Sequence, residues 1–591
     1  MGRRKVAPDC QTLSDKPGDG YQQSSRLQHV FMSAHSSADL ILQGGTLITM
    51  NPAQPRAEAM AIRDGLIQAV GSKEQVMACQ GPITQVVDLA GHTLLPGFID
   101  AHGHFSNALM VVDWANIQRP PAGPVTDIAS LQQVLRDHLT AHPLAPGQWM
   151  VGYGYDPDGL ADGRGLDRAD IDPITPDNPV MLIHNSNHGA VLNSKALELV
   201  GYDAATPDPA GGVIVRRAGS QEPAGLVMET AFIPLFVQMP KPSQEALLER
   251  FAAAQALYTC KGITTIQEGA TTAADLTMLQ RGAAEGRLLV DVVSLPLVLE
   301  VPKILSERFP DGHHHNLELP EAARDAFGTY HNRFKLQGIK LLLDGSPQGK
   351  TAFWSEPLLT GGPNGEANWR GQPIVPPEEL NKAVATLSRQ GIQLFAHCNG
   401  DAAIAMMIEA VRKAGLQADQ DHRTVIIHSQ FMAPGQLEEY VELGLHPSFF
   451  TVHAFFYGDV HLANLGADRC SRLSPMASAM RLGLHCSNHN DFSVTPIEPM
   501  RMVQTAMQRR SRSGTVLGEG ERVSAEQALM ALTLEAAWQL REETSKGSLE
   551  VGKRADLVVL DQDPTTVNPD DLNGIEVIAT IKDGACVHGS L

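Results

Sequence analysis

His102 and His104, one residue apart in His102-Gly103-His104, carry the strongest chemical signal in the chain. They close the run Thr93-Leu94-Leu95-Pro96-Gly97-Phe98-Ile99-Asp100-Ala101, an apolar stretch that reads as a buried strand. Alternation along a strand places residues i and i+2 on one face, so both imidazoles are expected to point the same way at its C-terminal end. Two convergent imidazoles form half a site for a divalent transition metal. An isolated H-x-H is weak evidence, but a strand ending in a ligand-type residue recurs at His397, at His428 and just before Asp491. Lys340 stands apart because it interrupts the otherwise apolar run 338–343. An ammonium group facing a packed interior is destabilised and its pKa falls. The neutral amine can then add CO₂ to give a carbamate, an oxygen ligand able to bridge two cations. Chemistry permits that step and spacing does not show it. Pairing of Lys340 with a buried carboxylate, Asp344 or Glu268, is the alternative.

The elements that must position these residues can be counted. Strand candidates are residues 94–100, 262–268, 288–295, 338–344, 391–397, 424–428, 447–453 and 482–487, with amphipathic stretches such as 377–390 and 402–414 between them. Eight strand–helix units predict an α/β fold, a (β/α)8 TIM barrel with its site at the C-terminal strand ends. Hairpin signals flank this region. Near the N-terminus, Gly44-Gly45 and Asp64-Gly65 each separate two short apolar strands, and strands are expected again at 555–561 and 576–584. These pieces predict one small β-sandwich domain built from both termini. Residues 105–260 are too many for a loop and are expected to form an inserted lid subdomain. The expected boundaries are a disordered leader over 1–37, a composite β domain over 38–93 and 545–591, a metal-binding barrel over 94–104 and 262–544, and the lid over 105–261. The leader also reads as an upstream extension of a chain that begins near Met32.

The 591 residues are 43% hydrophobic and 19% charged, ordinary for a globular enzyme, and suffice for more than one domain. A net charge of −20 argues against nucleic acid or an anionic membrane as partner, because phosphates would be repelled. A small-molecule substrate is expected, with a homodimer as the assembly considered. The seven cysteines are scattered without C-x-x-C spacing, which fits free thiols in a reducing compartment. No apolar run has transmembrane length, and the polar opening segment lacks a secretory core, so a cytoplasmic location is expected.

Taken in order on successive strands, His102, His104, Lys340, His397, His428 and Asp491 resemble the two-metal centre of the amidohydrolase superfamily. Finer motifs resemble its amidohydrolase-3 branch, which includes N-substituted formamide deformylases. They include Leu95-Pro96-Gly97-Phe98-Ile99-Asp100-Ala101-His102, Asn193-Ser194-Lys195-Ala196-Leu197, Asp208-Pro209-Ala210-Gly211-Gly212, Glu222-Pro223-Ala224-Gly225, His397-Cys398-Asn399-Gly400-Asp401 and Gly547 through Leu557. The resemblance covers about residues 38–565. One motif departs: the branch often reads Ser-Asp-x-Pro-Val where this chain has Asn490-Asp491-Phe492-Ser493-Val494.

The resemblance implies two divalent ions, zinc being the commonest choice. His102, His104 and Asp491 would hold one, His397 and His428 the other, with carboxylated Lys340 bridging them. Asp491 would be the catalytic residue, taking a proton from the attacking water and delivering it to the leaving nitrogen. The expected function is metal-dependent hydrolysis of an amide-type C–N bond in a small molecule. Its rivals are deamination at a ring C–N bond and a non-catalytic regulatory or binding protein on the same fold.

Other residues read less sharply. Asp459 and Asp401 are rivals to Asp491. Trp354, His453 and His489 are candidate substrate contacts, and His453, His485 and His489 read equally as hydrogen-bonded loop residues. The His313-His314-His315 run reads as a solvated loop, and Cys398 and Cys486 as small buried fillers. Phe353-Trp354, Phe449-Phe450 and Phe455-Phe456-Tyr457 would line an apolar pocket or belong to the core.

Overall fold

Gly97 divides the apolar run ahead of His102 into two strands that serve different sheets. β5 (Thr93–Pro96) pairs with β1 (Leu40–Ile48) and β22 (Leu557–Leu560), whereas β6 (Phe98–Ile99) pairs with β13 (Ile263–Thr271). A Cβ at position 97 would stand 2.4 Å from Thr264 Cγ2. The crossing between sheets therefore needs a residue without a side chain, and the single expected strand becomes two. The computed structural model describes residues 37–591 apart from 121, 158–159, 186–188, 210–211, 233–234, 236–241, 310–315 and 363–365. Residues 1–36 of the expected leader, the His313-His314-His315 run and part of the 208–212 motif lie outside the described residues.

Both termini build one sheet, as the hairpin signals suggested. Its order is β24-β23-β22-β5-β1-β2-β3, with β4 also paired to β1. The further members are β2 (Arg56–Arg63), β3 (Leu66–Gly71), β4 (Gln85–Asp88), β23 (Val577–Lys582) and β24 (Ala585–Gly589). The strands form a single eight-stranded sheet where a two-sheet sandwich was expected. β1 is the reason. It runs through Gly44-Gly45, where a hairpin turn was expected, with Gly44 at φ +77 and a register shift between Gln43 and Leu47. Across that bulge the strand exchanges β4 for β5 as its neighbour. Asp64-Gly65 does turn β2 into β3, and Asp583-Gly584 turns β23 into β24, both with positive φ at the two central residues.

The segment between β6 and β13 carries its own six-stranded sheet, ordered β11-β12-β10-β9-β8-β7. Its strands are β7 (Ala115–Asn116), β8 (Met150–Tyr155), β9 (Val180–His184), β10 (Gly189–Leu192), β11 (Gly212–Arg216) and β12 (Pro223–Glu229). Alternation in β9 sends Val180 and Leu182 into one apolar cluster and Met181 and Ile183 into another, so both faces of this sheet are covered.

The remaining strands are β14 (Asp291–Pro296), β15 (Tyr330–His331), β16 (Phe334–Leu336), β17 (Gly338–Leu342), β18 (Gln393–Cys398), β19 (Thr424–His428), β20 (Leu445–Phe449) and β21 (Ser487–Asn488). They form two sheets, β15-β16-β14-β13-β6 and β17-β18-β19-β20-β21, parallel throughout except at β15. Hydrogen bonds tie the sheets together at both sides. Val298 N donates to Lys340 O at 2.9 Å, and Asp491 N donates to His102 O at 3.1 Å. Ile99, Val293, Phe395, Val425 and Ile427, drawn from both sheets, share one buried cluster.

Intervening helices follow their sequence signals. Pro377–Arg389 has proline and two glutamates in its first turn, arginine in its last, and buries Leu380, Val384 and Leu387 at helical spacing. The fold is mixed α/β. β16 was not among the expected strands, and the expected 482–487 strand is reduced to β21. No helix among the described residues is long and apolar enough to cross a membrane.

Candidate metal centre

His102 and His104 converge, but the strand pleat does not cause it. Both lie beyond β6, and His104 is the residue that opens the helix Phe105–Val111. The turn between them is tight: a Cβ on Gly103 would approach Asp100 Oδ2 to 2.4 Å. Their ring centroids are 5.3 Å apart. His397 stands near the end of β18, His428 ends β19 with φ +73, and Asp491 follows β21 with φ +54. Lys340 extends from the middle of β17.

These six residues meet at one place. His102 Nε2 is 3.1 Å from Lys340 Nζ and 3.6 Å from Asp491 Oδ1. His104 Nε2 is 3.3 Å from the same carboxylate oxygen, and His428 Nε2 is 3.0 Å from His397 Nδ1. One ligand atom each from His102, His428 and Asp491 falls within 4.8 Å of the others. Side chains of His104 and His397 are 25% and 18% exposed, against 1% for His102, so solvent reaches the centre from the His104–His397 side.

The opposite edges of the rings are held by other groups, which leaves the convergent nitrogens facing one another. His102 Nδ1 is 2.9 Å from Gln267 Oε1, and His428 Nδ1 is 3.0 Å from His489 Nε2. His489 Nδ1 in turn meets Ser448 Oγ at 3.0 Å. His104 Nδ1 faces Glu268 Oε1 at 3.8 Å. His397 Nε2 is flanked by Asn399 Nδ2 at 3.0 Å and Asp344 Oδ1 at 3.4 Å.

Burial sets the protonation states. It pushes the Lys340 ammonium down to about 7, with Asp491 and Glu268 opposing the shift only in part. Burial and the neighbouring Lys340 charge pull His397 down to about 4 and His102 well below the ordinary imidazole range. His428 is lowered by burial and by His397. All three imidazoles are shifted toward the neutral form, which has a lone pair to offer. His104 moves the other way, up to about 9, because Asp491 and Glu268 outweigh the effect of burial. Burial would raise Asp491, yet His104, His428 and His102 hold it well below the usual carboxylate range, so it remains an anion.

The donor set fits a divalent cation. Asp491 Oδ1 is buried, with His104 Nε2 at 3.3 Å and His102 Nε2 at 3.6 Å as its facing nitrogens. A buried anionic oxygen is costly unless a positive charge satisfies it, and a protonated His104 or a cation in place of that proton would do so. Neutral imidazoles beside a carboxylate suit zinc-like ions.

Lys340 pairs with neither carboxylate weighed for it. Asp344 accepts from the backbone N–H groups of Phe353, Asn399 and Gly400, and Glu268 accepts from those of Ser106 and Ala270. Asp459 accepts from Ser511 and Ser513, and Asp401 from Ser355, so both are engaged elsewhere. His453 is buried, with Nδ1 2.7 Å from His461 Nε2 and its ring packed by Phe450 and Tyr457. Trp354 is 1% exposed and packs edge-on to Phe431 in a separate apolar cluster. His485 binds Glu535 and stacks on Trp538. Cys398 and Cys486 are buried. Gln267 was not singled out from sequence, and Glu268 was weighed only against Lys340. Their one visible signal is a polar pair closing the strand Ile263-Thr264-Thr265-Ile266.

Along 92% of its length the chain is 26% identical to an N-substituted formamide deformylase of Arthrobacter pascens, covering 97% of that protein. It is also 26% identical to a putative amidohydrolase, YtcJ, of Bacillus subtilis, over 93% of this chain and 99% of the relative. The solved structure of an uncharacterized metal-dependent hydrolase from Pyrococcus horikoshii shares the fold, with a TM-score of 0.68 at 22% identity, covering 90% of this chain and 99% of the other. The amidohydrolase-3 family model matches residues 85–588, and the chain therefore belongs to the amidohydrolase family.

Proposed function

We propose that this protein is a metal-dependent hydrolase that cleaves an amide-type C–N bond of a small molecule. In this reading the two parallel sheets close as a (β/α)8 barrel, with the centre at the C-terminal strand ends, where barrel enzymes keep their chemistry. His102, His104 and Asp491 would hold one divalent ion, His397 and His428 a second, with Lys340, carboxylated, between them. When bound, such a pair supplies Lewis acidity and lowers the pKa of a water it holds, and zinc is the commonest ion for these ligands. Gln267 and His489 fix the ring orientations of His102 and His428. Asp491, buried beside His104 and anionic, accepts the proton of the attacking water and returns it to the departing nitrogen. The observation that carries this reading is the convergence of ligand atoms of His102, His428 and Asp491 within 4.8 Å of one another, with Asp491 Oδ1 buried and facing His102 and His104.

The test is metal content per chain on protein purified without chelator, beside a Lys340→Ala variant. About two ions, falling in the variant, support the bridged centre. One ion, unchanged in the variant, favours a mononuclear site with a structural lysine; release of ammonia from a ring substrate would then identify a deaminase. No ion after reconstitution leaves the non-catalytic reading.

A further inference from the structure

We infer that His453 is a specificity-determining residue of this centre: its Nε2–H, oriented by His461, takes a neutral acceptor oxygen on the substituent of the amide substrate. The inference rests on the hydrolase reading for the scissile bond and on separate residues for the acceptor. His453 opens the helix His453–Cys470 just beyond β20, the strand that pairs with β19 and its terminal His428. Its ring centroid lies 4.7 Å from that of Phe450, which in turn lies 5.0 Å from His489 and 5.8 Å from His428. Tyr457, one turn along the helix with its ring 4.5 Å from His453, donates from Oη to Val494 O at 3.1 Å. Val494 N donates in turn to Asp491 O at 2.7 Å. Asp491 and His489 are both near enough to act electrostatically on the His453 ring. His453 therefore belongs to the wall of the centre, one aromatic ring removed from its ligand nitrogens. That separation suits a substituent of the substrate rather than the carbonyl at the metal.

Hydrogen bonding decides which of its nitrogens carries the proton. His453 Nδ1 is 2.7 Å from His461 Nε2 and the ring planes are 12° apart, so an N–H of one ring can point along the lone pair of the other. Burial shifts both imidazoles toward the neutral form, in which each ring has one N–H and one lone pair. His461 Nδ1 is buried without a hydrogen-bond partner. An orphaned buried N–H is rarer than an unused acceptor, so the His461 proton sits on Nε2 and points at His453. His453 Nδ1 then accepts, and its own proton is on Nε2. That nitrogen makes no hydrogen bond among the described residues, yet it is not one of the enclosed polar atoms, so it is the open end of the pair. A neutral N–H donor walled by Phe450 and Tyr457 selects by hydrogen bonding rather than by charge.

Matched probes on the metal-loaded protein test the contact apart from the chemistry. The uncleavable ketones 5-methoxypentan-2-one and heptan-2-one differ only in an ether oxygen against a methylene, and ligand-observed NMR gives their affinities. We expect the ether-to-alkane affinity ratio to fall about fivefold in His453→Phe, as loss of one neutral hydrogen bond provides. His453→Gln, whose amide N–H reaches toward the same place, should keep most of the ratio. Nitrogen-15 labelling of histidine reads the tautomer. His453 should be protonated on Nε2 in the native chain and lose that preference in His461→Phe, with His461→Gln restoring it. A ratio unchanged in His453→Phe, or no binding of either ketone, overturns the contact. So does a native His453 protonated on Nδ1. N-(2-Methoxyethyl)acetamide and N-butylacetamide carry the same difference beside a cleavable bond and should show it in KM, with kcat little changed. If the ketone ratio depends on His453 but neither amide is cleaved, the contact stands and the hydrolase reading fails.

Discussion

In the proposed mechanism Asp491 has two jobs that its surroundings make compatible. Burial alone would protonate it; the imidazoles of His104, His428 and His102 keep it ionised and therefore able both to bind a cation and to accept a proton. Asp491→Asn preserves shape and removes the charge, and we expect it to eliminate turnover while leaving the fold intact by circular dichroism. Full activity in that variant would remove Asp491 from the mechanism. Gln267 tests how the ring of His102 is held. Its side-chain oxygen meets His102 Nδ1 at 2.9 Å, and the position is fully buried. Gln267→Leu leaves that nitrogen without a partner, and metal affinity measured by chelator competition should fall about 10- to 100-fold. Gln267→Glu, which restores an acceptor, should recover most of the loss. Unchanged affinity in the leucine variant would make the contact incidental.

At the scale of elements, the path from β5 to β6 decides where the histidine pair lands. The chain leaves the terminal sheet at Pro96 and enters the parallel sheet at Phe98, with Gly97 N donating to Asp556 O at 2.8 Å and Phe98 N donating to Gly262 O at 2.9 Å. Gly97→Val would drive a branched side chain into Thr264. Overpacking of this kind costs about 1–3 kcal/mol, and we expect a lower thermal midpoint together with weaker metal binding, because His102 follows five residues later. A midpoint equal to the native one would mean that the two sheets can part without cost. The same crossing explains why the strand reading was only partly right. Apolar runs and turn dipeptides located the strands on either side of Asp64-Gly65 and most of those in the parallel sheets, but they missed β24 beyond Asp583-Gly584. They could not separate β5 from β6, because an apolar run looks alike whichever sheet it joins. Nor could they show that Gly44-Gly45 is a bulge: a glycine pair serves a turn and a bulge equally well, and the neighbouring strands decide.

Across the whole molecule, a buried ionic network joins the central strands to the terminal sheet. Asp291 of β14 accepts from Lys546 at 2.6 Å and from Lys582 of β23 at 2.7 Å. Lys582 also reaches Asp556 at 2.7 Å, Lys546 reaches Glu542 at 2.9 Å, and Glu542 pairs with Lys335 of β16. Burial would raise the Asp291 carboxyl, but Lys546 and Lys582 hold it well below its ordinary value. A carboxyl depressed in the folded state stabilises it fully above the unfolded pKa of about 3.9, and that stabilisation is lost as pH falls through the folded value. Asp291→Asn should therefore cost about 3–5 kcal/mol in urea denaturation at pH 7, because it leaves buried lysines unpaired. The gap between variant and native protein should narrow below about pH 4. A gap that stays constant with pH would show that the network contributes no charge-dependent stability.

Sequence by itself determined the kinds and the order of the metal-type residues, the mixed α/β character, the family, and the contribution of both termini to one β layer. Those features are written locally, in residue chemistry, in hydrophobic period and in turn dipeptides. Tertiary structure decided what meets what. Lys340 reaches His102 across 238 positions and Gln267 reaches it across 165. The terminal strands form one sheet because β1 changes partners at Gly44, and the histidines converge through a turn beyond their strand. Trp354, placed near the site on type alone, packs against Phe431. Hydrogen bonds and packing between residues far apart leave no periodic trace in the chain, so each depends on the path of every element between them.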